Sequence, residues 1–131
     1  METKEIKKNL DEFSNILVDL KNKLDIDTKV ERINELDLLT SSVDFWSSSN
    51  TKGILEEQKQ LRSIVNKYND VFDCVMLAIE MCELDLTEDD MNDLIHSVEE
   101  IDTKLNDLKL ITFLNGEFDS SIEFTEQDIN D

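Results

Sequence analysis

Nine positions between Ile54 and Cys82 repeat at intervals of 4, 3, 4, 3, 4, 3, 4 and 3: Ile54, Gln58, Leu61, Val65, Tyr68, Phe72, Val75, Ile79 and Cys82. A 3.5-residue repeat of this length suits one side of a helix and no strand, whose period is 2. The chain has no Pro and only two Gly among its 131 residues, so nothing interrupts the repeat. The pattern predicts one helix from about Thr51 to Glu83, roughly 50 Å long at 1.5 Å per residue. Such a helix cannot bury its stripe against itself, so the rest of the chain has to supply the partners.

Two further stretches carry the same period. Ile6, Leu10, Phe13, Leu17, Leu20 and Leu24 predict a helix over residues 3–24, and Met91, Leu94, Val98, Ile101, Leu105 and Leu108 predict another after Thr87. Thr87-Glu88-Asp89-Asp90 reads as the cap of that last helix, since acidic residues favour a helix N-terminus. Its end is expected near Asn115-Gly116, where Gly can take the left-handed conformation. A shorter helix is expected from the Thr28-Lys29-Val30-Glu31 capping box to about Leu39, with Val30, Ile33, Leu36 and Leu39 as its apolar side. Only Leu84-Asp85-Leu86 separates the two long C-terminal helices, so they form an antiparallel hairpin.

The fold class is therefore all-α: an elongated antiparallel three-helix bundle, or coiled-coil hairpin, with one additional short helix packed at one end. An open homo-oligomeric coiled coil is the competing arrangement. Residues 1–116 are read as the helical domain and residues 117–131 as a flexible acidic tail.

The link between the short helix and the long one, Ser41-Ser42-Val43-Asp44-Phe45-Trp46-Ser47-Ser48-Ser49-Asn50, contains the sole Trp. Adjacent Phe and Trp gain much from burial. Phe45 and Trp46 are therefore expected to anchor this link to the body of the protein.

Net charge is −19, and it is unevenly placed. Residues 1–68 hold 11 basic and 13 acidic side chains, a balance of −2, while residues 69–131 hold 2 and 19, a balance of −17. The second half would repel phosphate backbones, which argues against free nucleic acid as a direct partner and suits a basic protein patch. No apolar run approaches the roughly 20 residues of a membrane span. With no signal-peptide pattern at Met1–Lys8 and no disulfide framework, a cytoplasmic protein is expected.

Chemistry-bearing residues are sparse. Cys74 and Cys82 sit eight positions apart on one helix, about 12 Å, too far for a disulfide. The single His, His96, falls off the stripe of its helix and is a poor base for a Ser-His-Asp arrangement. The acidic run at Thr87–Asp90 lacks the alternating ligands and central Gly of a Ca²⁺ loop. The reading is a non-enzymatic chain with no metal site and no cofactor.

Several segments together resemble a known family. Glu5-Ile6-Lys7-Lys8-Asn9-Leu10-Asp11, Leu24-Asp25-Ile26-Asp27 with Glu31-Arg32-Ile33, Asp44-Phe45-Trp46, Leu61-Arg62-Ser63-Ile64-Val65 and Leu114-Asn115-Gly116-Glu117-Phe118-Asp119 occur in the order found in the first domain of bacterial peptide chain release factors, in the release factor 2 branch. The resemblance covers roughly residues 1–122. It implies a helical domain that packs at the base of the ribosomal stalk, positions the factor and makes no codon or peptidyl-transfer contact. The family's Gly-Gly-Gln hydrolysis motif has no counterpart, because no Gly-Gly pair exists in the sequence. The chain thus resembles the first domain alone, isolated or truncated before the codon-reading and hydrolytic domains.

The expected partner is the ribosome, through a stalk-base protein, with the chain itself monomeric. The hairpin tip, carrying Asp85, Leu86, Glu88, Asp89 and Asp90 beside Leu84, is the expected contact, a small apolar point ringed by carboxylates. Two other readings are an acidic helical adaptor with no ribosome role and a nucleic-acid mimic.

Overall fold

The computed structural model describes residues 2–114. The expected tail, residues 117–131, and the expected stop at Asn115-Gly116 lie outside them. Four α-helices follow in order: α1 Thr3–Lys23, α2 Ile26–Thr40, α3 Thr51–Cys82 and α4 Glu88–Thr112, with a short 3-10 helix, Val43–Ser47, between α2 and α3.

Helices α1, α3 and α4 form the bundle. Lys7 meets Glu83 at 3.6 Å at one end of α1, and the buried Tyr68 hydroxyl donates to the Leu17 carbonyl at 3.1 Å near the other, so α1 and α3 run antiparallel. Lys104 meets Asp70 at 2.7 Å across α3 and α4. Ile16, Leu20 and Lys23 of α1 share a groove with Lys109 and Thr112 of α4, which places those two helices parallel. The core is almost wholly aliphatic: Ile6, Leu10, Leu17 and Leu20 from α1, Val71, Val75 and Ala78 from α3, and Leu94, Val98, Ile101, Leu105 and Leu108 from α4. Fully burying each Leu, Ile or Val contributes roughly 1.5–3 kcal/mol relative to exposure.

Helix α2 covers the N-terminal half of α3 instead. Ile33, Leu36, Phe45 and Val65 are buried there, outside the main core. This second contact corrects the buried face of α3. The sequence stripe places Phe72 and Ile79 inward; in the structure Val71 and Ala78 are buried, Ile79 is half-buried and Phe72 is 43% exposed. The reason is geometric. At about 100° per residue, the positions facing α2 and those facing α1 and α4 point in directions about a quarter turn apart. A strict 3.5 repeat averages the two.

Helix α2 also begins earlier than its sequence suggests. The Thr28 capping box is not the start, because Leu24 and Ile26 both enter the bundle core and force the reversal between them. Asp25 makes that reversal with φ 51°, the left-handed conformation that Asp tolerates better than most residues. The Lys29 ammonium donates to the Leu24 carbonyl and helps close the corner. Val30 and Leu39 lie mostly outward, leaving Ile26, Ile33 and Leu36 as the buried side.

The Phe-Trp pair is also corrected. Phe45 is buried, but Trp46 is 62% exposed. The 3-10 turn sends consecutive side chains in different directions, so only one of the two reaches the gap between α2 and α3. The Trp46 ring stands edge-on against Phe45, centroids 4.8 Å apart. Trp46 is therefore no anchor.

Candidate functional site

The hairpin tip is built by two helix ends. Helix α3 stops with the Glu83 and Leu84 N–H groups donating to the Glu80 and Met81 carbonyls at 3.0 and 3.1 Å. Helix α4 opens with a complete capping box: the Asp90 N–H donates to Thr87 Oγ1 at 3.1 Å, and the Thr87 N–H donates to Asp90 Oδ2 at 3.4 Å. Three carboxylates in the first turn, Glu88, Asp89 and Asp90, also meet the positive end of the helix dipole.

These bonds sort the five tip residues. Asp90 is engaged by the cap. Leu86 is half-buried and packs on the end of the bundle core. Asp85, Glu88 and Asp89 are exposed, and so is Leu84, at 65%. The surface on offer is thus Leu84 flanked by three carboxylates, with Leu86 as the plug beneath it.

At the opposite end of α3, sequence reasoning missed a polar lattice. Arg32 donates to both carboxylate oxygens of Glu57, at 2.7 and 3.1 Å, and to Glu35 at 3.0 Å. Arg62 donates to both oxygens of Asp37, at 2.7 and 2.6 Å, and the Gln58 amide donates to Asp37 at 2.9 Å. The Glu57 pKa is held below its ordinary value by the Arg32 hydrogen bonds, and that of Arg32 is raised by Glu57 and then Glu35. Only the Arg32/Glu35 spacing of three was a local signal. The other pairs are long-range and follow from how α2 lies on α3.

The other shifted groups among the described residues are held by burial or by single partners. Burial pushes the Cys82 thiol up, away from the thiolate, against a smaller lowering by Lys7. Both cysteines are free thiols. The Lys104 ammonium is raised by its hydrogen bond to Asp70, and the Tyr68 hydroxyl is raised by burial and then by Asp27. His96 lies on the surface with Glu100 at 3.5 Å and Glu99 at 3.9 Å. Among the described residues no group of three or more His, Cys, Asp or Glu could hold a metal ion. No described helix is long and apolar enough to cross a membrane. What the described residues offer for binding is the acidic tip with Leu84 at its centre.

No family model matches the chain, and no solved structure does. Curated proteins do. Peptide chain release factor 2 of Staphylococcus haemolyticus is 30% identical over 125 residues, covering 92% of this chain and 34% of that protein. Release factor 2 of Acholeplasma laidlawii is 30% identical over 128 residues, covering 91% and 33%. The Staphylococcus saprophyticus protein is 28% identical over 131 residues. The chain spans about a third of the length of these relatives. Over nine-tenths of its own length it is similar to the N-terminal part of bacterial peptide chain release factor 2.

Proposed function

We propose that the chain acts as a non-catalytic helical domain of translation termination, docking a release factor on the ribosome through a protein at the base of the stalk. The observation that carries this reading is the similarity to release factor 2 across nearly the whole chain. The exposed tip supplies a contact of suitable chemistry. Leu84 offers apolar area, and Asp85, Glu88 and Asp89 are free to meet the basic side chains common on ribosomal proteins. Charge of this kind accelerates encounter more than it deepens affinity, and salt weakens it. The chemical step of peptide release belongs, in this reading, to other parts of a release factor.

The test is co-sedimentation with 70S ribosomes at low and high salt. The native chain is expected in the ribosomal pellet at low salt and reduced there at high salt. The variant D85K/E88K/D89K is expected to stay in the supernatant at both. It leaves Asp90 in place because that carboxylate caps α4; Lys at positions 88 and 89 opposes the helix dipole by about 0.3–1 kcal/mol each, so circular dichroism must first show the variant folded. Equal pelleting of the variant at low salt moves the interface elsewhere. Failure of the native chain to pellet removes the ribosome reading in favour of an acidic adaptor for another protein.

A further inference from the structure

A groove of about 320 Å³ runs along the outside of α3 and α4 beside the last turns of α4. The buried Val71 and Leu108 form its floor, and Leu110 and Ile111 line the α4 side. Leu110 is 57% exposed, and Leu114, four residues on and the last described residue, is 48% exposed. Apolar surface therefore continues from the groove to the end of α4. The charged lining is unequal. Asp70 is taken by Lys104 at 2.7 Å. Lys67 on the α3 side and Asp107 on the α4 side form no ion pair among the described residues.

The sequence that follows Leu114 has the pattern to fill this groove. Residues 115–131 carry six acidic side chains and no basic one. From Glu117 to Phe124 the chain alternates: Phe118, Ser120, Ile122 and Phe124 at even positions, Glu117, Asp119, Ser121 and Glu123 at odd ones. In an extended segment these two sets fall on opposite sides, so apolar groups can turn inward while the acids stay in water. Gly116 supplies the reversal, since Gly just past a helix end takes the left-handed conformation. The lengths also agree. Lys104 to Ile111 spans about 10.5 Å of α4, and Phe118 to Ile122 spans about 13 Å when extended. Only three residues separate Leu114 from Phe118, and so short a tether gives an effective concentration on the order of millimolar. A separate molecule would have to compete with that.

We propose that residues 117–124 dock back into the α3/α4 groove as an extended strap, with Phe118 beside Ile111 and Ile122 toward Lys104. The acids of the strap lean to the α3 side, where Lys67 stands, and away from Asp107. Apolar burial of Phe118 and Ile122 carries most of the contact, so salt weakens it little, in contrast to docking through the acidic tip. The strap covers Leu110 and Ile111 and fixes the direction in which the chain leaves the bundle: back along α4 toward the hairpin tip. The contact is internal to the chain and does not depend on the ribosomal reading.

Methyl and aromatic NMR spectra of the full chain, native and F118S/I122S, test the proposal. Both substitutions lie beyond α4 and leave the bundle core intact, so circular dichroism should be unchanged. The methyl resonances of Val71, Leu110 and Ile111 are expected to shift between the two proteins. Those of Ile16 and Leu20, which line the groove on the other side of α4, should stay in place. In the native chain, nuclear Overhauser contacts should join the Phe118 ring to the Ile111 methyl groups. L110S alters an exposed side chain of the groove, and it should move the Phe118 and Ile122 resonances toward those of a synthetic peptide of residues 115–131. Unchanged Val71 and Ile111 methyls in F118S/I122S overturn the proposal. Shifts at Ile16 and Leu20 in their place assign the segment to the other groove and overturn it too. Contacts that appear only as protein concentration rises belong to a second molecule and overturn the internal strap.

Discussion

The bundle and the α2 end share one helix but are held by different means. In the bundle, three helices bury aliphatic seams that close on each other over the length of α1 and α4. At the α2 end, two helices and a 3-10 turn bury Ile33, Leu36, Phe45 and Val65, and much of the remaining contact is the Arg32 and Arg62 lattice. Apolar burial is non-directional and hard to remove without unfolding. Half-exposed ion pairs contribute little each and respond to salt and pH. The comparison predicts that α2 beyond Ile26, which is tied into the bundle core, opens locally more readily than the bundle does.

The largest effect should come from the bundle. Leu105→Ala removes a side chain that is 1% exposed between three helices and should cost about 2–5 kcal/mol. The loss should appear in global denaturant melts, with hydrogen exchange rising in α1, α3 and α4 together. Phe45→Ala should cost about 3 kcal/mol, the low end for a buried Phe, and appear differently. Exchange should rise in α2 and the first turns of α3 while the core of α4 keeps its protection. Uniform loss of protection in that variant would show that the two regions open as one.

The smallest effect is electrostatic. The folded pKa of Glu57 is depressed, so its pairing with Arg32 is fully present above the ordinary value of 4.5 and is lost as pH falls from there through the folded value. Exchange protection of α2 should decline in that acidic window before protection of the bundle does, and Glu57→Gln should remove that part of the pH dependence. Identical pH profiles for the two proteins would assign the weakness of α2 to something other than this lattice.

Helix count, order and approximate limits were legible in the sequence, because the 3.5-residue repeats of α1, α3 and α4 are driven by burial on one side. The Thr87 cap was legible for the same kind of reason: its partners lie three residues apart. What could not be read was relative rotation. Phe72 and Ile79 fit the repeat as well as Val71 and Ala78 do, and only the direction from which α2, α1 and α4 approach decides between them. Asp25 gave no local sign that the chain would reverse there. Trp46 was misplaced because composition indicates that an aromatic pair gains from burial, not that a 3-10 turn can deliver only one of the pair inward. At the tip, the acidic composition was visible in the sequence, but the division between Asp90 in the cap and Asp85, Glu88 and Asp89 at the surface depends on which carboxylate reaches the Thr87 N–H.

The single unbroken span of α3, 32 residues from Thr51 to Cys82, works as a crankshaft. Its two throws, the α2 side and the bundle side, are keyed about a quarter turn apart along a shaft about 48 Å long. One residue inserted between Val65 and Tyr68 would advance the shaft by only 1.5 Å but swing the α2 throw by about 100° relative to the bundle. An insertion of seven would lengthen it by about 10.5 Å and return the throws almost to their original setting. An insertion of seven in this stretch of α3 is therefore expected to be tolerated far better than an insertion of one.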